Sequence, residues 1–172
     1  SALARSYIGG QVALAPALTA VYAPVINSYK RYVPGLWAPL NATWGIENRT
    51  CAIRVITGPG KSAVRAEYRQ TAADINPYLA LAASIGAGLY GIEHGVMPPE
   101  PVIGDATAKG KAGPALPTTL AAATKLLRES EGAREVLGEA FVDHYARTRD
   151  WECREHQKAV TDWELARYFE AV

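Results

Sequence analysis

Several residue types are scarce in this chain of 172 residues, and each scarcity narrows the field. Only two cysteines occur, Cys51 and Cys153, far apart in sequence. They are expected as free thiols rather than a disulfide, as in a cytoplasmic protein. Histidine is limited to His94, His144 and His156, at no metal-ligand spacing, and no HExxH or paired His/Cys cluster exists to build a zinc site. Charge of either sign is not in excess: 18 basic against 17 acidic side chains give a net charge of +1. That balance argues against nucleic-acid or anionic-membrane binding, which leaves a basic footprint. No apolar run is long enough to span a bilayer. The start, SALARSYIGG, lacks a basic n-region, a long apolar core and a cleavage site, so no signal peptide is expected. It also lacks methionine and opens inside a predicted helix, so the chain reads as a fragment of a longer one.

What is present is a chain nearly half apolar, long enough for one domain with a core. Apolar residues at helical spacing predict a helix over Leu3 to Leu18, then a second apolar segment reaching Tyr22, with Pro24 interrupting. From Ala42 to Ile56 the pattern becomes β-like, Cys51, Ile53 and Val55 sharing one face and Ala52, Arg54 and Ile56 the other. Trp44, inside it, is expected as a core aromatic. TGPGKS is read as a turn. It is not a phosphate-binding P-loop, because the position five before Gly60 is Val55 and no helix follows.

VRAEYRQ then predicts a strand with Arg65, Glu67 and Arg69 on one face and Val64, Ala66 and Tyr68 on the other. Asn76 is a predicted N-cap with Pro77 at the first helical position. The alanine- and glycine-rich helix they open would let neighbours approach closely. Residues 97–117 are rich in proline and glycine and are read as a surface loop. Beyond them Thr118 or Thr119 opens one helix, Ser130 a short one, and Phe141 to Gln157 form a long one. Thr161 with Glu164 is a capping box. The sequons NAT and NRT, at 41 and 48, are taken as chance matches.

Arg65, Glu67 and Arg69 admit two readings: a solvated strand face of mutually supporting charges, or a face for an anionic ligand. Arg31, Arg49 and Arg54 lie upstream in segments rich in glycine and aromatics. Five arginines around one glutamate suit several negative charges handled together. Trp37, between Gly35 and Pro39, stands in the stretch RYVPGLWAPLNATWGIENRT, whose first half has no periodicity.

NSYKRYVPGLWAPLNATWGIENRTCAIRV followed by VRAEYRQTAADINPYLALAASIGAGLYGI resembles the C-terminal half of the catalytic domain of glutamine synthetases. The tail RDWECREHQKAVTDWELARYFEAV resembles the branch that includes gamma-glutamylpolyamine synthetases. The resemblance covers almost the whole chain and is weakest across 97–117. It implies an α+β fold, antiparallel strands carrying the site and backed by helices, with the β-grasp domain and first part of the catalytic domain lying upstream of residue 1. It also implies ATP-dependent joining of glutamate to an amine through an acyl phosphate, in a cytoplasmic homo-oligomeric ring with sites partly between subunits. Carried over residue by residue, Arg31, Arg49 and Arg69 match contacts to substrate and the reacting phosphoryl or acyl group. Arg54 and Arg65 match nucleotide-phosphate contacts, and Glu67 a ligand of a catalytic Mg²⁺ or Mn²⁺.

Two departures qualify the match. Glutamine synthetases keep a glutamate of the ammonium site where this chain has Trp37. An indole cannot act as a base, but it can pack an alkyl chain or an organic cation. This departure points to a substrate amine larger than ammonia, a polyamine, alkylamine or aminoalcohol, with Trp37 as a substrate-binding residue. A true glutamine synthetase and a non-catalytic structural relative are the alternatives. Residues 97–117 contain no tyrosine, so control by adenylylation is not expected. The fragment alone is expected to be inactive.

Overall fold

A computed structural model describes residues 1–60, 63–108 and 113–171. Lys61 and Ser62 of the TGPGKS turn, and residues 109–112 of the proline-rich stretch, lie outside the described residues.

The chain opens with α1 (Ala2–Tyr22), one unbroken helix where the sequence suggested two segments. Pro16 lies inside it, removing the N–H that would reach the Val12 carbonyl. Packing outweighs that loss: almost every side chain from Ile8 to Tyr22 is buried. A buried amide also braces the helix there. Gln70 Nε2 donates to the Ala15 carbonyl at 2.8 Å and to Thr19 Oγ1 at 2.6 Å.

A 3-10 turn, Ile26–Arg31, leads into a loop and then the sheet, β1 (Trp44–Ile46), β2 (Ile53–Thr57) and β3 (Val64–Tyr68), in the order β1-β2-β3. The β2–β3 pair is antiparallel, as expected, but β1 runs parallel to β2, so the sheet is mixed. Side-chain alternation carries no information on strand direction, which explains the difference. Since β1 has only three residues, the 47–52 loop can carry the chain back along its length.

One sheet face presents Trp44, Ile53, Val55 and Tyr68 to Ile8 and Val12 of α1. Trp44 is a core residue as expected, its Nε1 donating to the Pro99 carbonyl at 2.7 Å. The other face carries the pairs Arg54–Glu67 and Ile56–Arg65, set directly opposite each other by the register.

Asn76 caps α2 (Pro77–Glu93), accepting from the N–H groups of Tyr78 and Leu79. α2 crosses α1 at glycine on both sides. A Cβ on Gly10 would run into the Ala87 carbonyl and lie 2.6 Å from Gly91 Cα. Several described residues of the proline-rich segment are tied to the sheet and core. Val102 N–H donates to the Trp44 carbonyl at 2.9 Å, and Pro98, Ala106 and Leu116 are buried. α3 (Leu120–Glu129), capped by Thr119, and α4 (Glu131–Leu137), capped by Ser130, follow. α5 (Glu139–Lys158) is anchored by Tyr145 Oη on the Ala20 carbonyl at 3.1 Å. The Thr161–Glu164 capping box opens α6 (Asp162–Tyr168), which buries no residue. Cys51 is buried and Cys153 half-buried, both free. No helix is long and apolar enough to cross a membrane among the described residues.

Candidate functional site

The charged face of β2 and β3 closes into a chain of ion pairs. Arg54 reaches Glu67 at 3.2 Å and Glu47 at 2.6 Å, and Arg69 reaches the other oxygen of Glu67 at 2.5 Å. Cross-strand register sets the first pair. Glu47 joins from the loop after β1 in a left-handed conformation, φ 51°, its second oxygen accepting from Thr57 N–H at 2.9 Å.

Arg69 also ties two loops to the sheet. Its Nε donates to the Arg49 carbonyl at 2.8 Å, and its Nη2 to the Trp37 carbonyl at 3.4 Å. Arg49 thus stands beside the cluster, exposed, its guanidinium without a hydrogen bond or ion pair among the described residues. The sequence-predicted residues Arg49, Arg54, Glu67 and Arg69 are therefore brought together, with Trp37 at their edge.

Two others join the cluster less directly, Arg31 through the Arg69 carbonyl at 3.5 Å. Arg31 turns onto backbone: Nη1 donates to the carbonyls of Gln70, at 3.1 Å, and Thr71. Beside it, Tyr32 Oη donates to the same Gln70 carbonyl at 2.6 Å. Arg31 here fixes the exit of β3. Arg65 is exposed and donates to the Ala63 carbonyl at 3.1 Å, joining the cluster only as a nearby positive charge on Glu47.

A groove of about 750 Å³ opens at Glu47 of the cluster, lined by Trp37, residues 46–50 and residues 101–105. Trp37 is 68% exposed, with φ 59°. A bulky residue in the left-handed region is rare and costs roughly 1–3 kcal/mol, a strain found most often at functional sites. Asn48, read from sequence only within a chance sequon, holds the 102–104 segment in place. Its Nδ2 donates to the carbonyls of Val102 at 2.9 Å and Gly104 at 2.8 Å, while its Oδ1 accepts from the N–H and hydroxyl of Thr50. An Asn-x-Thr turn signal was available for the second half of that pattern. Glu47 had no comparable signal, because its role depends on the return of the chain after β1.

For Glu67, partial burial pushes the carboxyl upward, but Arg69 and Arg54 outweigh it and hold the group below its ordinary 4.5. The Thr57 N–H and the Arg54 guanidinium lower Glu47 likewise. Both values are depressed by folding, so the stability they contribute is present above the ordinary carboxylate range and lost as pH falls through the lowered values. Thermal melts from about pH 6 down to about pH 3 are expected to show stability falling below about pH 4.5. The Glu67→Gln variant is expected to give a shallower fall; an identical slope would remove this cluster as the cause.

Chemically, the arrangement offers guanidiniums for anionic oxygens around two carboxylates, Glu47 and Glu67. No group of three His, Cys, Asp or Glu side chains that could hold a metal ion occurs among the described residues. A closed cage of protein ligands is therefore not formed among the described residues. Glu67 suits the other mode of binding Mg²⁺, in which one or two carboxylates act with phosphate oxygens and water. It does so only where it gives up one of its two pairs, with Arg54 or Arg69, to the ion.

With this geometry in hand, comparison with known proteins is informative. Residues 1–168 match the family profile "Glutamine synthetase, catalytic domain". The chain is 47% identical to type-1 glutamine synthetase 2 of Dictyostelium discoideum over 98% of its length, covering 32% of that protein. It is 44% identical to a glutamate–isopropylamine ligase of a Pseudomonas species, over all of this chain and 38% of that one. It is 44% identical to gamma-glutamylethanolamide synthetase GlnA4 of Streptomyces coelicolor, over 96% of this chain and 35% of that one. Among solved structures, the GmaS–ADP complex in its first conformation superposes with a TM-score of 0.84 at 33% identity, over 99% of this chain and 40% of that one. The chain spans about a third of the curated relatives it matches. It belongs to the glutamine synthetase family, as part of the catalytic domain.

Proposed function

We propose that this chain is the arginine-bearing part of an ATP-dependent ligase that joins the side-chain carboxyl of glutamate to an organic amine. The observation that carries the reading is the adjacency of the Arg54–Glu67–Arg69 cluster to a groove edged by Arg49 and Trp37. ATP activates the carboxylate as an acyl phosphate, and the amine displaces phosphate. Negative charge spreads over the transferring phosphoryl oxygens, and fixed guanidiniums stabilise it without reorganising.

In this reading Arg49 and Arg69 hold the reacting phosphoryl or acyl group, with Arg54 and Arg65 on the nucleotide phosphates. Arg31 is proposed as a further substrate contact, and it also holds the carbonyls after β3 that place Arg69. Glu67 would hold a Mg²⁺ or Mn²⁺ ion, which when bound supplies charge to the phosphate oxygens. Glu67 keeps Arg54 and Arg69 apart and aimed, since it pairs with each through a different oxygen. ADP binding by GmaS supports the nucleotide. The isopropylamine and ethanolamide ligases support an organic amine.

Trp37 is the residue on which the choice of amine turns. Its ring is exposed at the groove edge, and its backbone is held by Arg69. A π face attracts an organic ammonium by about 0.5–2 kcal/mol. In the full-length enzyme, Trp37→Glu is expected to lower kcat/KM for an alkylamine relative to ammonia by roughly 2- to 30-fold. An unchanged ratio would remove Trp37 from the amine site. The whole protein is further read as a cytoplasmic homo-oligomer, which would cover the exposed Trp163, Tyr168 and Phe169 at the C-terminal end.

A further inference from the structure

Exposed apolar side chains scattered singly over a surface call for no explanation. Ile103 is different because of how it is held. It is 83% exposed, yet the carbonyls on either side of it, of Val102 and Gly104, are both fixed by the Asn48 amide. Two residues on, Ala106 N–H donates to Thr50 Oγ1 at 2.8 Å. Gly104, at φ 79°, supplies the left-handed turn that lets the segment double back onto this anchor. The molecule thus presents a large apolar side chain on a rigid turn at the rim of the groove that Trp37 and Arg49 share.

Ile46, which also lines the groove, is likewise exposed although it ends a strand. Trp37, Ile46 and Ile103 therefore make three apolar surfaces around one opening. The carboxylates nearby are already engaged. Glu47 is taken by Arg54 and Thr57, and Asp105 Oδ1 accepts from Thr107 N–H at 2.8 Å and from its hydroxyl at 2.7 Å. Arg49 adds a positive charge to the same groove. Among the described residues the groove therefore carries no surplus negative charge, Arg54 balancing Glu47 and Arg49 balancing Asp105. A second ammonium would gain little there, whereas a carbon chain would meet matching surface.

We propose that Ile103 is a specificity-determining residue: with Ile46 and Trp37 it receives the carbon chain of a monoamine and so sets which chain lengths are accepted. The proposal rests on the amine-ligase reading and deepens it by favouring alkyl monoamines over polyamines. Asn48 acts through Ile103 as a positioning residue.

The test uses the full-length enzyme with glutamate and ATP saturating, and reads kcat/KM for ammonia, ethylamine, n-butylamine and 1,4-diaminobutane. Wild type is expected to favour n-butylamine over both ethylamine and the diamine. In Ile103→Ala the butylamine-to-ethylamine ratio is expected to drop about fivefold, a fraction of what a closed pocket gives for lost apolar contact. Ile103→Asp is expected to lower it further and to shift preference toward the diamine. Because the side chain is exposed, neither variant disturbs the core. A ratio unmoved in both variants overturns the proposal while leaving the ligase reading standing, and so does a wild type that prefers the diamine. A wild type that forms no amide with any amine overturns both.

Discussion

Replacing Glu67 by glutamine in the full-length enzyme is expected to lower kcat by about 10²- to 10³-fold while costing no more than about 1 kcal/mol of stability. The two magnitudes separate because the carboxylate does two things of unequal weight. Structurally it is one partner in a cluster whose other members keep their own anchors: Arg54 stays on Glu47, and Arg69 stays on the carbonyls of Arg49 and Trp37. Partly exposed pairs of this kind contribute little to stability. Chemically, Glu67 is the carboxylate proposed to share a divalent ion with the phosphate oxygens, and it fixes the spacing of two guanidiniums. Glutamine keeps the volume and one acceptor but removes the charge. Steady-state kinetics with a parallel thermal melt separate the outcomes. A kcat within a few-fold of wild type would remove Glu67 from the chemistry. A collapse of the melt would make it structural.

The largest stability effect is expected at the α1–α2 crossing. A Cβ on Gly91 would run into the Ser6 carbonyl and lie 2.5 Å from Gly10 N and 2.7 Å from Gly10 Cα. Every one of those atoms is backbone, so no side chain can rotate away and the helices must separate. Separation also loosens Gln11, whose amide donates to the Ser84 carbonyl at 3.1 Å, and the buried row of Ala80, Ala83 and Ala87. Gly91→Ala is expected to cost about 3 kcal/mol, at the upper end for overpacking by a single methyl group. Helix propensity alone would predict the opposite sign, since alanine is the better helix former by about 1 kcal/mol. Urea unfolding decides between them: a lowered midpoint with unchanged slope is expected, and a raised midpoint would contradict the close crossing.

The helices and their caps were legible in the sequence because local signals carry them. Asn76 before Pro77, Thr161 before Glu164 and the alternation of VRAEYRQ each specify structure within a few residues. Register then placed Arg54 opposite Glu67, which alternation allowed but could not choose. The unbroken α1 was not legible, because Pro16 is a local breaker overruled by burial from several directions. The parallel β1 was missed for a related reason: the direction of a three-residue strand is decided by the loop around Glu47 and Asn48. The family resemblance named Arg31 with Arg49 and Arg69, and the fold links Arg31 to Arg69 through the carbonyls of residues 69–71, a contact no local signal specifies. Ile103 gave no signal at all. Its place depends on Asn48, 55 positions earlier in the chain.

Amide formation with an organic amine is the reaction proposed for the site around Arg54, Glu67 and Arg69. It is tested most directly by incubating the full-length protein with glutamate, ATP and Mg²⁺, with either an alkylamine or ammonium as nitrogen donor. Formation of ADP and of the gamma-glutamyl amide would be followed together. The account predicts a gamma-glutamyl alkylamide with stoichiometric ADP, at a kcat/KM above that for ammonium. Glutamine formation from ammonium with no product from any alkylamine would contradict it.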